Sequence, residues 1–121
     1  MTRRSKYRVS NSRAGKAART VDGVLFASKA ESLRYRELKV LASAGEITGL
    51  ELQPAFELQP AFRYGGQRVA AIRYTADFKY LDGGAVVIEE VKGFETRDYK
   101  LRRKLFLFRY GDQYEYRVVK V

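Results

Sequence analysis

Cysteine, histidine and tryptophan are all missing from this chain, and proline occurs only twice and methionine once. Without cysteine there is no disulfide framework and no thiol nucleophile. Without histidine there is no Ser-His-Asp triad, and the two absences together remove the usual nitrogen–sulfur zinc site. Any metal bound here has to be a hard, oxygen-liking cation such as Mg²⁺ or Mn²⁺, held by carboxylates. No run of about 18 apolar residues occurs, so no membrane-spanning segment is expected. The N-terminus is charged and carries no apolar stretch of the secretory type, so a cytoplasmic location is expected.

What is present is positive charge. The 121 residues include 24 basic and 14 acidic side chains, a formal net charge of +10. Residues 1–20 hold Arg3, Arg4, Lys6, Arg8, Arg13, Lys16 and Arg19 with no acidic residue among them. A second cluster, Lys100, Arg102, Arg103 and Lys104, lies in "RDYKLRRKLFLFRY". Both are candidate phosphate contacts, and the balance points to a polyanionic partner, nucleic acid first of all. Residues 1–19 read as a basic flexible arm, and 20–121 as a single folded domain.

The order of elements follows from periodicity. In "VDGVLF", Asp22-Gly23 marks a turn between short extended pieces. Ser28 followed by Glu31 fits a capping box, and Leu33, Leu38, Leu41 and Ala42 recur at helical spacing, predicting a helix over about 28–44. The doubled hexamer "ELQPAFELQPAF" (51–62) alternates with period two. A shift of six preserves parity, so it predicts one continuous strand with a single apolar face, its prolines marking an edge or a bend. Residues 67–81 predict a second strand with Ala70, Ile72, Tyr74, Ala76, Phe78 and Tyr80 on one face. The turn "DGG" (82–84) leads to a third strand, 85–92. Thr96 caps a basic helix over about 96–109, and 114–121 predicts a last strand. The expected fold class is α/β, one central mixed β-sheet flanked by helices in the order α-β-β-β-α-β.

Asp77, on the polar side of the second strand, and Glu90 and Lys92, two apart on the third, converge if the 82–84 turn pairs these strands. Two carboxylates suit a divalent cation, and an ammonium beside them suits a phosphate and an attacking water. Glu89 points to the other strand face and Asp82 belongs to the turn, so neither is a candidate ligand.

The stretches "DGVLFASKAESLRYREL", "LELQPAFELQPAF", "YTADF" and "EEVKGFET…KLRRKLF" together resemble the PD-(D/E)XK nuclease superfamily. The resemblance is to its small phage-encoded branch related to the archaeal-type Holliday junction resolvases. Ala76 stands where the nominal motif has proline. The resemblance implies a restriction-endonuclease-like core, with Asp77 and Glu90 as metal ligands, the Val91 carbonyl as a further one and Lys92 as the catalytic lysine. It also implies an acid from the first helix. Glu31 fits that role, its other reading being the capping box; Glu37 is the alternative helix acid, and Glu57, on the polar face of the doubled hexamer, is a third candidate. The implied activity is that of a Mg²⁺-dependent endodeoxyribonuclease, Mn²⁺ substituting, that cuts four-way DNA junctions as a homodimer, in the host cytoplasm if phage-encoded. Alternative readings are a repair, flap or restriction nuclease of the same chemistry, or a non-catalytic basic nucleic-acid-binding protein.

Overall fold

A Ser28 hydroxyl cap begins one helix and a Thr96 hydroxyl cap begins another. The computed structural model describes residues 9–121. In it α1 spans Arg13–Ala18, β1 Thr20–Val21, β2 Val24–Leu25, α2 Lys29–Ser43, β3 Thr48–Leu52, β4 Ala55–Gln59 and β5 Phe62–Tyr64. Then follow β6 Gln67–Val69, β7 Ile72–Thr75, β8 Phe78–Asp82, β9 Ala85–Lys92, α3 Arg97–Tyr110 and β10 Glu115–Lys120. The Ser28 hydroxyl accepts from the Glu31 amide at 3.1 Å, and the Thr96 hydroxyl accepts from the Tyr99 amide at 3.0 Å. Each satisfies an N–H that the first helical turn leaves without a partner.

The class is mixed α/β, with a central four-stranded sheet in the order β10-β9-β8-β3. β10 runs parallel to β9, and the other pairs are antiparallel. A two-residue turn at Gly83-Gly84 joins β8 to β9, with Gly83 at φ 60. Two apolar clusters cover the sheet. Phe26, Tyr35, Leu38, Ile47, Phe78, Tyr80 and Val87 pack under α2, and Phe56, Leu58, Tyr74, Ala76, Ile88, Tyr99 and Phe106 pack under α3. Leu38, Phe78 and Phe106 are wholly excluded from solvent, each such burial worth about 1.5–3 kcal/mol. No helix among the described residues is long and apolar enough to cross a membrane.

Three expectations need correction. First, the doubled hexamer is not one strand. It is divided among β3, β4 and β5, and Leu52 packs under α2 while Phe56 and Leu58 pack under α3. Gln53 takes φ 51, a left-handed conformation that reverses the outward face, so parity is lost in the middle of the repeat. Second, the 67–81 strand is likewise split into β6, β7 and β8: Tyr74 and Ala76 lie under α3, but Phe78 and Tyr80 lie under α2. The two breaks face each other, since Gln53 N–H donates to the Asp77 carbonyl at 2.9 Å and Ala76 N–H to the Pro54 carbonyl at 3.0 Å.

Third, residues 9–19 are not an unstructured arm. Ser12 caps α1 by accepting from the Gly15 amide at 3.0 Å. Arg19, expected as a phosphate contact, is buried instead. Its Nε donates to the Phe26 carbonyl at 2.8 Å, and its guanidinium also bonds the Ser10 carbonyl and the Asn11 side chain. A guanidinium spent on backbone carbonyls is a fastener. Arg13 and Lys16 remain exposed on α1, whereas Arg3, Arg4, Lys6 and Arg8 lie outside the described residues. Of the leucines at helical spacing in α2, Leu38 is buried and Leu33 is 47% exposed.

Candidate functional site

Asp77 sits where two strand pairs part company. The β8–β9 ladder ends at Phe78 opposite Glu89, and β7 pairs with β4 instead. Beyond that point β9 has lost its partner on this side, and its Val91 N–H donates to Asp77 Oδ2 at 2.7 Å. The Asp77 amide in turn donates to the Glu89 carbonyl at 3.2 Å. The acid is thus fixed at backbone and side chain in a notch of the sheet. A cleft of about 720 Å³ opens over it, lined among others by Glu31, Asp77, Glu90, Val91, Lys92 and Phe94.

Strand alternation turns Glu90 toward α3 and Glu89 toward α2. Glu90 is 5% exposed and engages Asp77, while its Oε1 accepts from the Tyr74 hydroxyl at 2.9 Å. Glu31, also 5% exposed, reaches Asp77 from the first turn of α2. Its amide uses the Ser28 cap, while its carboxyl group lies beside that of Asp77. Burial, with the Asp77 charge and hydrogen bond pushing the same way, raises Glu31 to about 8 against the opposing Lys92 ammonium. Burial likewise raises Glu90 to about 9, Asp77 adding to the effect and Tyr74 and Lys92 opposing it. Of the three helix or strand acids left open by the sequence, Glu31 is the one brought to Asp77. Glu37 is exposed and paired with Arg34 at 2.9 Å, and Glu57 is exposed on β4 opposite Arg73. Among the described residues no set of three acids is already arranged about one common cation position; the carboxyls are linked pairwise through Asp77.

Lys92 lies on the same strand face as Glu90, its Nζ 4.3 Å from the centre of the Tyr99 ring. Arg103 covers the same ring at 5.1 Å and pairs with Glu95 at 3.2 Å. Arg102 pairs with Asp98 at 3.0 Å and also bonds the Arg73 carbonyl. Lys100 and Lys104 are exposed on α3. The basic cluster therefore divides into two fastened arginines and two solvent-facing lysines.

Residues 4–121 match a family described as a protein of unknown function, DUF1064. This chain belongs to the DUF1064 family. No curated protein and no solved structure matches it.

Two arrangements in this DUF1064 chain were not legible in the sequence. One is a chain of phenols. Tyr74 donates to Glu90, Tyr116 meets Tyr74 at 2.8 Å, and Tyr99 meets Tyr116 at 2.7 Å. Each phenol has one proton, so Tyr116 donates to Tyr74 and Tyr99 to Tyr116. Burial drives the Tyr74 and Tyr116 hydroxyls far above their ordinary range, so they stay protonated as donors. The chain joins Glu90 to the ring beneath Lys92. The other is Glu89, fully buried, which takes Arg34 Nε at 2.8 Å and Nη2 at 2.8 Å and the Tyr80 hydroxyl at 2.7 Å. Arg34 stands one turn after Glu31, so this bidentate pair anchors the helix face that carries Glu31 to the strand that carries Glu90. The only sequence signals were tyrosines at inward strand positions and an acid inside an apolar strand, and neither names its partner.

Proposed function

We propose that this protein is a divalent-cation-dependent endodeoxyribonuclease with a restriction-endonuclease-like core of the PD-(D/E)XK kind, acting on branched DNA such as four-way junctions. The observation that carries the reading is the meeting of Asp77, Glu90 and Glu31 in one cleft with Lys92 beside them. Proton sharing and cation coordination are alternative ways of relieving the same repulsion between crowded carboxylates. The donor set is all oxygen, which suits Mg²⁺ or Mn²⁺. Asp77, Glu90 and Glu31 would hold the cation, with the Val91 carbonyl a further donor. Bound there, it would supply Lewis-acid polarisation of the scissile phosphate.

The chain's own residues do the rest. Val91 N–H fixes one oxygen of Asp77, and Tyr74 fixes one of Glu90, leaving the remaining carboxylate oxygens for the cation. The Lys92 ammonium, held on Tyr99, offers charge to the phosphate and a donor that orients the attacking water. In the hydrolysis, a water oxygen joins phosphorus in line, one ester P–O bond breaks, and the departing oxygen takes up a proton. The exposed Lys100 and Lys104 suit phosphates flanking the cut. A four-way junction has two symmetry-related cut strands, which a homodimer would meet with one site each.

The test compares a four-way junction, a flap and a plain duplex, each with Mg²⁺ or EDTA. Paired symmetric nicks near the crossover, absent with EDTA and absent for Asp77→Asn and Lys92→Ala, are expected. Undiminished cutting by either variant would remove the assigned site. Tight binding without cleavage would support the non-catalytic binding reading instead.

A further inference from the structure

The β5–β6 hairpin gains nothing from the core. None of residues 60–68 is buried, and the hairpin pairs with no other strand. A two-stranded ribbon standing alone in water is marginally stable. Its Gly65-Gly66 turn, at φ 58 and φ 77, has the left-handed geometry that matches strand twist and makes the hairpin as regular as two strands allow. Its side chains work the other way. Arg63 and Arg68 stand directly opposite each other, and like charges at opposed positions are destabilising. The other face carries Phe62, 46% exposed, and Tyr64, 80% exposed. A recess of about 230 Å³ lies among Ala61, Phe62, Arg63 and Arg68. Arg63 donates one N–H to the Gly66 carbonyl at 3.0 Å, and its remaining donors and those of Arg68 are left to solvent or to an anion, which would relieve the like-charge pairing.

We propose that this hairpin is a second contact for duplex DNA, with Arg63 and Arg68 holding the phosphate backbone away from the cut. The partner's identity rests on the nuclease reading above; the hairpin adds where the duplex lies. β7 leads from the hairpin back to Asp77, and the chain from Arg68 to Asp77 spans at most about 30 Å when fully extended. That limit is close to one helical turn of B-DNA, so we place the contact up to about 10 base pairs from the scissile phosphate. A two-stranded ribbon also fits the width of the major groove.

The experiment is fluorescence anisotropy in EDTA at about 0.1 M salt, on junctions with arms of about 8 or about 16 base pairs, comparing wild type, Arg63→Ala/Arg68→Ala and Arg63→Lys/Arg68→Lys. On long arms the alanine pair is expected to bind about 10- to 60-fold more weakly, with the log–log salt slope reduced by nearly 2. The lysine pair is expected to keep most of the affinity, and short arms should show a change under about 3-fold. Unchanged affinity and slope on long arms would overturn the proposal, and an equal loss on both lengths would overturn the placement. Binding in EDTA is independent of cleavage, so a failed nuclease reading and a failed hairpin contact give different results. Circular dichroism is expected to match for all three proteins, since neither side chain is buried and the single hydrogen bond lost, Arg63 to the Gly66 carbonyl, is exposed at the hairpin tip.

Discussion

Glu31→Gln should make the protein more stable in EDTA at alkaline pH, although it removes a candidate ligand. In the unfolded chain Glu31 titrates near 4.5, and in the fold it is raised to about 8. Between those values the folded state binds more protons than the unfolded state, so stability falls as pH rises, by up to ~1.4 kcal/mol per unit. The full stability is present below 4.5 and is lost as pH climbs through 8. Over that window the loss accumulates to about 3–5 kcal/mol. Glutamine has no proton to acquire, and its amide can still donate to Asp77. Urea unfolding in EDTA should therefore show equal midpoints near pH 4.5 and a variant midpoint higher by about 2–3 M near pH 8.5. Glu90, raised by the same kind of burial, leaves the variant a residual slope.

Magnesium supplies the second half of the test. A ligand that binds only the folded state stabilises it by RT ln(1 + [L]/Kd). Millimolar Mg²⁺ should raise the wild-type midpoint near pH 8.5 more than that of Glu31→Gln, shrinking the variant's advantage. A wild-type midpoint that stays level from pH 5 to 8.5 in EDTA would refute the burial argument for Glu31. An equal Mg²⁺ response in both proteins would refute its role as a ligand.

Tyr74→Phe removes the donor that favours ionised Glu90, so Mg²⁺ or Mn²⁺ affinity by calorimetry should fall about 10-fold and shift toward higher pH. Arg34→Met leaves the fully buried Glu89 with Tyr80 but no cation, and should lower unfolding free energy by about 3–5 kcal/mol in urea. Glu89→Gln, which keeps hydrogen-bonding capacity, should lower it by less. Gln53→Val places a β-branched side chain at φ 51 and should lose about 1–2 kcal/mol, whereas Gln53→Gly should stay within about 0.5 kcal/mol of wild type by the same measurement.

Elements governed by local signals were legible in advance. The Ser28 and Thr96 caps, the Asp22-Gly23 and Gly83-Gly84 turns and the apolar run 85–88 that opens β9 each act over a few residues. Parity carried further than it should have. It assigned a single face to 51–62 and to 67–81, yet both change faces midway, and at the same place. Nothing in "LQPAF" or "TADF" marks a crossover, because the reversal belongs to the pair of strands: Gln53 N–H bonds the Asp77 carbonyl, and the Pro54 carbonyl takes the Ala76 N–H. Pro54 gives a bend a natural location but does not say that the opposite strand bends with it.

That shared reversal is also what makes the site. On a flat sheet, Asp77 and Glu90 could meet on one face, but Glu31, arriving from α2, would be left on the other. β7 instead turns away with β4, the ladder to β9 ends at Glu89, and the sheet opens beside Asp77. Through that opening Asp77 touches Glu31 from the α2 side and Glu90 from the α3 side, while the released Val91 N–H steadies it. The pattern-breaking residue and the best candidate for chemistry are therefore the same residue. A strand that obeyed its alternation through Ala76, Asp77 and Phe78 would have kept a better ladder and could not have gathered acids from both layers.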